Sequence, residues 1–251
     1  MNEARHPREE FEAFVRETSS YIYSLSYRLS GTRPDAQDLS QETYLRAWRA
    51  WTTFDRDRNP FPWLRQICVH CFMERMRTRK RRAATEPLDD RPELASSDPR
   101  PEEILIADEE IRKTQSQCYT IVSSGLTGEQ RIVFVLTDIF LLDLNETSVL
   151  IGKSLSATKA LLHRARARMQ SRLGNLCSLA LKENPCTCSA FHANSQSSAE
   201  RREYARSILA ERARDQAALA DTQARVIALF HNLPLLKEPP DWVREIDRIF
   251  K

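Results

Sequence analysis

The sequence predicts an all-α protein with two helical domains, an acidic linker between them and a helical C-terminal extension. Apolar residues recur every three or four positions over most of the chain, which is the spacing of one helix face. Only 5 of 251 residues are glycine, and the alternation of β-branched residues that is typical of strands is almost absent. The predicted boundaries are 9–82 for the first domain, 83–103 for the linker, 104–173 for the second domain and 174–251 for the extension.

The first domain opens with a helix over Glu9–Ser30, and Gly31 ends it because glycine is favoured just past a helix C-terminus. A second helix begins at Pro34, a residue suited to the first turn. One stripe of this helix carries small residues for close packing. The opposite stripe combines an acid, an amide and large apolar side chains, at Asp38, Gln41, Leu45 and Trp48. Such a mixed stripe is typical of a surface that binds a protein partner.

The third predicted helix begins near Pro62 and ends in a dense run of cations. Its last turns carry Arg75, Arg77, Arg79, Lys80, Arg81 and Arg82, which indicates a surface for a polyanion. A solvated helix end is the alternative interpretation. The loop over residues 52–62 carries Phe54 and Phe61, and aromatic side chains beside a positive groove are typical of sites for unpaired bases. For Trp48, Trp51 and Trp63 the alternative is core packing.

The second domain contains a predicted helix-turn-helix. Residues 83–103 are acidic, carry four prolines and lack the apolar residues of a core, so they predict a linker. After it, Thr127 begins a capped helix, 145–151 form a short helix, Gly152 makes a turn and Ser154 caps a helix that runs to Leu173. This last helix packs through Thr158, Leu162, Ala165 and Met169. Its N-terminal part is predicted to enter a major groove, with contacts from Ser156, Lys159, His163, Arg164 and Arg166.

Three sequence patterns carry a resemblance to a known family. DAxDLxQETxLRAW and WLxxIxxxxxxxRxRxxxR in the first domain, followed by KxxLHRARxRM in the second, resemble the extracytoplasmic-function (ECF) sigma factors of the sigma-70 family. The resemblance covers roughly Glu9 to Leu173. The sequence departs from the family at Cys68 and His70, at Leu161, and over 142–144, where the family usually has a glycine before the helix.

The resemblance implies a transcription initiation factor. Core RNA polymerase would bind Asp38, Gln41, Glu42, Leu45 and Trp48. The region 54–82 would open the minus-ten promoter element, with Arg75, Arg77, Arg79 and Lys80 on DNA, and the helix after Ser154 would bind the minus-thirty-five element. An anti-sigma factor is a further expected partner. A helix-turn-helix regulator that acts without core polymerase is the alternative function.

The extension begins with a group of metal-ligating side chains. Cys177, Cys186, Cys188 and His192 offer thiolates and an imidazole, which are the ligands that Zn²⁺ prefers. A redox switch and inert thiols remain alternatives for these cysteines, and no cofactor is expected to be required. The helices after residue 198 are expected to regulate the DNA-binding domains or to add a contact to polymerase. The alternative is that they only stabilise the second domain. Cys68 and Cys71 lie on an apolar stripe and are predicted to be buried thiols.

Composition and motifs exclude several other functions. No carboxylate pair, nucleophile constellation or phosphate loop stands out, so an enzyme is not expected. No apolar run approaches the ~20 residues of a membrane span, and the charged N-terminus does not resemble a signal peptide. The sequence therefore predicts a cytoplasmic protein without a membrane partner.

Overall fold

A computed structural model of the chain describes residues 7–83, 118–119, 122–173, 230 and 235–236. Within these residues the structure contains helices and no strand, which confirms the all-α prediction. The predicted linker and most of the extension lie outside the described residues. The chain divides into two compact units: one is Met1–Pro87 with Leu150–Gly152 and Leu235–Lys251, and the other is Leu88–Val149 with Lys153–Pro234.

Three helices and a short 3₁₀ turn build the first unit. These elements are α1 (Pro7–Ser30), α2 (Arg33–Arg49), the 3₁₀ turn Trp51–Thr53 and α3 (Pro60–Ala83). Gly31 ends α1 in the left-handed conformation, with φ 87°. Thr32 then caps α2, because its hydroxyl accepts a hydrogen bond from the Asp35 N–H at 3.3 Å. The predicted start of α3 is two residues late, since the helix already begins at Pro60.

The small-residue stripe of α2 packs inside the first unit, as predicted. Ala36, Leu39 and Ala47 are fully buried, and small side chains at these positions allow the helix axes to approach closely. Tyr44 is also buried and shares a hydrogen bond of 2.9 Å with Thr18 of α1. From the extension, the main chain of Leu236 hydrogen-bonds through its N–H and its C=O to the Ser24 hydroxyl of α1.

Residues 127–173, which belong to the second unit except for Leu150–Gly152, contain the predicted helix-turn-helix order. Its elements are α4 (Gly128–Phe134), a π-helical turn (Val135–Ile139), α5 (Leu144–Ile151) and α6 (Leu155–Leu173). Thr127 and Gln130 form a capping box at the start of α4. Gly152 takes φ 65° between α5 and α6, and the Ser154 hydroxyl accepts the Ala157 N–H at 3.2 Å. These caps confirm both helix starts that the sequence predicted.

The end of α4 departs from a regular helix. Residues 135–139 widen into a π turn, in which the Phe140 N–H bonds to the Val135 carbonyl at 3.0 Å. Leu141 then takes φ 59°, a conformation that costs an L-residue with a Cβ about 1–2 kcal/mol. The family resemblance placed its missing glycine over 142–144. The structure puts the left-handed residue one position earlier.

A residue from the extension completes the core of the second unit. Phe230 is 1% exposed, and its ring meets the Tyr119 ring edge-to-face with centroids 5.7 Å apart. Tyr119 in turn stacks on Phe134 of α4 at 6.3 Å. The packing face predicted for α6 is confirmed, since Thr158, Leu162, Ala165 and Met169 are all buried. The part of the chain described here includes no helix long and apolar enough to span a membrane.

Candidate nucleic-acid interface

One face of α6 presents polar and cationic side chains to solvent. Ser156, Lys159, His163 and Arg164 are exposed, together with the small residue Ala160 between them. The opposite face is buried, so the orientation of the exposed face is fixed by the core of the unit. A helix with exposed cations, preceded by a capped turn at Gly152, has the features required to enter a DNA major groove. Four of the five residues predicted for this contact share the face.

The other cations of α6 are used inside the unit. Arg168 donates hydrogen bonds to the Gly125 carbonyl at 3.2 Å and to the Gln130 side chain at 3.0 Å. Arg172 donates to the Ser124 hydroxyl at 3.1 Å. Both arginines therefore lie over the turn that precedes α4 and satisfy its polar groups.

Arg166 is the fifth residue predicted to contact DNA, and the structure gives it a protein partner. Its guanidinium donates two hydrogen bonds to the Asp138 carboxylate, at 3.0 Å to Oδ2 and 2.6 Å to Oδ1. The Asp138 side chain is only 3% exposed, whereas the Arg166 side chain is 33% exposed. Arg166 therefore differs from the other four predicted contacts, because its guanidinium is bonded to a buried acid of the same unit.

The basic end of α3 is partly neutralised by α2. Arg75 pairs with Glu42 at 3.3 Å, and Arg79 pairs with Asp35 at 2.8 Å. Arg77 is exposed, and the side chain of Lys80 lies outside the described residues. Two of the four α3 cations predicted to contact DNA therefore have carboxylate partners within the unit.

The predicted protein-binding stripe of α2 divides in the same way. Asp38 is exposed, and Gln41 and Leu45 are half-buried. Glu42 is held by Arg46 at 2.6 Å as well as by Arg75. Trp48 packs on Phe11 of α1 with ring centroids 5.0 Å apart, so it contributes to the core of the unit.

A third ion pair joins α2 to α3. Arg46 donates a hydrogen bond of 2.6 Å to Glu74, which lowers the pKa of the Glu74 carboxyl. The same hydrogen bond is the main cause of the raised pKa of Arg46, and partial burial of Arg46 opposes it. Both residues therefore stay charged near neutral pH, and the link between the helices persists there.

The aromatic side chains near the 52–62 loop form one cluster. Phe54 stacks on Trp63 at 4.3 Å, and both rings are half-buried. Trp51 is 4% exposed, as its core interpretation predicted, and Arg56 lies over its ring at 4.9 Å. Arg56 also pairs with Glu10 of α1 at 3.1 Å, which ties the loop to the helix bundle.

The cysteines of α3 are buried thiols, as predicted. Burial raises the pKa of the Cys68 thiol to about 11 and that of the Cys71 thiol to about 12. At neutral pH both are protonated, so they are poor metal ligands and poor nucleophiles. Among the described residues no cluster of His, Cys, Asp or Glu is arranged to hold a metal. Cys177, Cys186, Cys188 and His192 lie outside the described residues.

Sequence reasoning missed two residues that position this interface. Asp138 is a lone acid within the apolar run IVFVLTDIF, and an acid at a core position signals a buried charge that needs a partner. That signal was available before the structure. Phe230 lies in the extension, and nothing in its spacing indicates which core it joins.

The described residues form an all-α fold with a helix-turn-helix unit and an exposed cationic helix face, and comparison with known proteins shows which family the sequence resembles. Residues 14–82 match the family model for sigma-70 region 2. The ECF RNA polymerase sigma factor SigE of Mycolicibacterium smegmatis is 29% identical over 163 residues, which cover 65% of this chain and 61% of SigE. The RNA polymerase sigma-E factor of Streptomyces coelicolor is 29% identical over 165 residues, covering 65% of this chain and 86% of the relative. The chain thus contains sigma-70 region 2 and is similar to ECF sigma factors of the sigma-70 family.

A solved structure supports the fold independently. The sigma factor RpoE of Bartonella quintana, in a complex with the anti-sigma factor NepR, matches with a TM-score of 0.51 and 20% identity. The match covers 66% of this chain and 98% of RpoE. The chain spans only 51% of ECF sigma factor SigG of Mycobacterium tuberculosis, another of its relatives, and 61% of SigE.

Proposed function

We propose that this protein directs promoter-specific transcription initiation by binding core RNA polymerase and promoter DNA. The observation that carries the proposal is the exposed face of α6, where Lys159, His163 and Arg164 have no carboxylate pair among the described residues, unlike Arg166. It lies in a chain whose residues 14–82 match sigma-70 region 2. The protein would act in the cytoplasm, where core polymerase and promoter DNA are available.

The α6 face would bind the minus-thirty-five element in the major groove. Arg164 can read a guanine through two hydrogen bonds, whereas Lys159 and His163 would contact phosphates and fix the register of the helix. Ser156 and Ala160 are small, so they let the helix backbone approach the base edges. Most of the affinity would come from the phosphate contacts and would fall as salt rises.

The first unit would supply the polymerase contact and open the minus-ten element. Asp38 is exposed, and Gln41 and Leu45 are half-buried without the ion pairs of Glu42 or the ring contact of Trp48 among the described residues, so we assign the polymerase contact to these three first. Glu42 would join this contact only by leaving Arg46 or Arg75, and Trp48 would act by holding α2 in place. An unpaired base would stack on the half-buried pair Phe54 and Trp63.

The DNA assignment is tested by the salt dependence of promoter binding. Lys159→Ala is expected to reduce the slope of log K against log salt by about 1, because it removes a phosphate contact, whereas Arg164→Ala should lower affinity and relax sequence specificity. Arg168→Ala is the control, since it removes a cation of the same helix that bonds to Gly125 and Gln130. Equal slopes for Lys159→Ala and Arg168→Ala would contradict the assignment.

The polymerase assignment is tested by run-off transcription with core polymerase. Asp38→Lys reverses an exposed charge on α2, and we expect it to abolish most of the transcript while thermal unfolding stays unchanged. Glu17→Lys makes the same charge change on an exposed position of α1 and is expected to transcribe normally. Promoter binding without transcripts from the unaltered chain would instead favour a regulator that acts without core polymerase.

The accessible surface of α2 suits a second protein partner that inhibits polymerase binding. We propose that an anti-sigma protein covers the accessible part of α2, as expected for a surface that must otherwise bind polymerase.

We also propose that the extension binds zinc, through Cys177, Cys186, Cys188 and His192. Its structure would then depend on the metal. Metal content of the full chain, compared with a Cys186→Ser and Cys188→Ser double variant, tests this directly. Equal zinc content in both proteins would leave the redox and inert-thiol interpretations.

A further inference from the structure

Asp138 places a carboxylate inside the core of the second unit. Every residue from Ile132 to Ile139 is buried, and Asp138 is the one acid among them. An ionised carboxylate is costly to bury unless it is paired and hydrogen-bonded. Arg166 meets this requirement with a two-point contact at 3.0 and 2.6 Å, the geometry that fixes both distance and orientation.

The backbone beneath this pair is specialised. Asp138 lies in the π turn Val135–Ile139, and the hydrogen bonds after it run from Phe140 to Val135 and from Leu142 to Leu136. A π turn adds a residue to the helix and rotates the following side chains, and such turns are frequent at functional sites. The irregular turn therefore determines where the carboxylate points, and the carboxylate determines where α6 sits through Arg166.

Helix geometry alone does not distinguish Arg166 from Arg164. At about 100° per residue, the two arginines lie roughly 80° to either side of Ser156, at the two edges of the exposed face. Only their partners separate them: Arg164 is exposed to solvent, and Arg166 is bonded to a buried acid. The contact with Asp138 uses Nε and Nη2 of Arg166, so the remaining donors of the guanidinium are held where this two-point contact puts them. Turning the guanidinium fully toward a phosphate would leave the acid uncompensated in the core.

We infer that Arg166 is a positioning residue, which with Asp138 fixes the rotation of α6 so that Lys159, His163 and Arg164 face the DNA. This rests on the proposed DNA-binding function and deepens it. Arg166 contributes to promoter affinity by orienting other residues, and it makes no phosphate contact of its own. Asp138 is required for tight DNA binding although its charge repels DNA.

Asp138→Asn separates the two possible roles of Arg166 by the sign of its effect. If Arg166 positions the helix, the amide loses one charge-assisted bond and promoter affinity falls on the order of tenfold with an unchanged salt slope. If Arg166 instead contacts DNA once Asp138 releases it, the freed guanidinium raises promoter affinity and steepens the salt slope by about 1. The second result overturns the inference, and so does an affinity equal to that of the unaltered chain.

Arg166→Lys provides an independent test that keeps the charge. Lysine is a single-point donor and cannot form the two-point contact with Asp138, so we expect the same order-of-magnitude loss of affinity as in Asp138→Asn. A phosphate contact would tolerate lysine, and retained affinity would therefore contradict the positioning role. Arg164→Lys is the matched comparison at the other edge of the face, where the positive charge and the salt slope should persist.

Folding and function are kept apart by two controls. Binding is measured on the full chain well below the lowest unfolding temperature of the variants, with helix content recorded for each. The double variant Asp138→Asn with Arg166→Lys should lower promoter affinity no further than either change alone, because both act on one contact.

If Lys159→Ala and Arg164→Ala also leave promoter binding unchanged, the proposed function fails. If they weaken it while the Asp138 and Arg166 variants do not, only the positioning role fails.

Discussion

The two units use their arginines differently. In the first unit Arg75 and Arg79, at the basic end of α3, pair with Glu42 and Asp35 at the unit surface. In the second unit the pairing partner of Arg166 is buried, while Arg164 and the cations near it remain exposed. The same residue type therefore forms exchangeable surface pairs in one unit and a fixed internal contact in the other.

This difference shows that a run of cations in a sequence does not map a polyanion surface. Surface ion pairs contribute about 0–1 kcal/mol each and can be given up to a phosphate. A pair with one buried partner cannot be exchanged in this way, since it would leave a buried charge. The acids that face each arginine, some of them far away in the sequence, decide which behaviour applies.

The cores of the units differ as well. The aromatic cluster of the first unit comes from α1, α2, the 3₁₀ turn and loop that follow, and the first turn of α3, all within the first 63 residues. The second unit needs Phe230, which follows the end of α6 by many residues, to pack on Tyr119. A chain ended after Leu173 would lose this ring, so regulation by the extension is better studied with point variants than with truncation.

The largest effect is expected from Phe230→Ala. Removing a fully buried phenylalanine costs about 3–5 kcal/mol of unfolding free energy, and the loss should be confined to the second unit. Amide hydrogen exchange resolved by peptide measures this: protection over 128–139 should fall, and protection over 22–29 in α1 should not. Leu235→Ala, at a neighbouring exposed position, is the control and should change neither. An equal loss of hydrogen-exchange protection in both units would show that their cores do not unfold separately.

A smaller effect is expected at Leu141, the residue with φ 59° after the π turn. Glycine avoids the strain of this conformation, so Leu141→Gly should be more stable than Leu141→Ala by about 1 kcal/mol. Comparing these two variants cancels the loss of the leucine side chain. Ala167→Gly on α6 provides the opposite case, since glycine in a helix costs about 1 kcal/mol relative to alanine. Thermal or denaturant unfolding of the three variants measures the gain in stability at 141 and the loss at 167. If the alanine and glycine variants at 141 were equally stable, the backbone would be relaxed there.

Leu141 also marks how far the sequence determines the structure. Helix ends that depend on local capping or turn residues were predicted where the structure has them. These residues are Thr127, Ser154, Gly31 and Gly152. The π turn and the left-handed leucine were not predictable, because they depend on packing between α4 and α6 and no local residue requires them. The same holds for the pairs Asp35–Arg79 and Asp138–Arg166, which join residues more than a helix apart.

The smallest change in stability, and the sharpest contrast between the units, is expected from Asp35→Asn. The pair with Arg79 is exposed, with 70% of the arginine side chain and 32% of the aspartate side chain accessible, so its loss should cost less than about 1 kcal/mol. Neutralising this acid frees Arg79 for DNA. We expect higher affinity for a forked minus-ten DNA and a salt slope steeper by up to about 1, the opposite of Asp138→Asn. Glu17→Gln removes the same charge from an exposed site on α1 and controls for net charge. If both variants raised affinity equally, release of Arg79 would not be the cause, and the surface pairs of the first unit would be as fixed as the buried pair of the second.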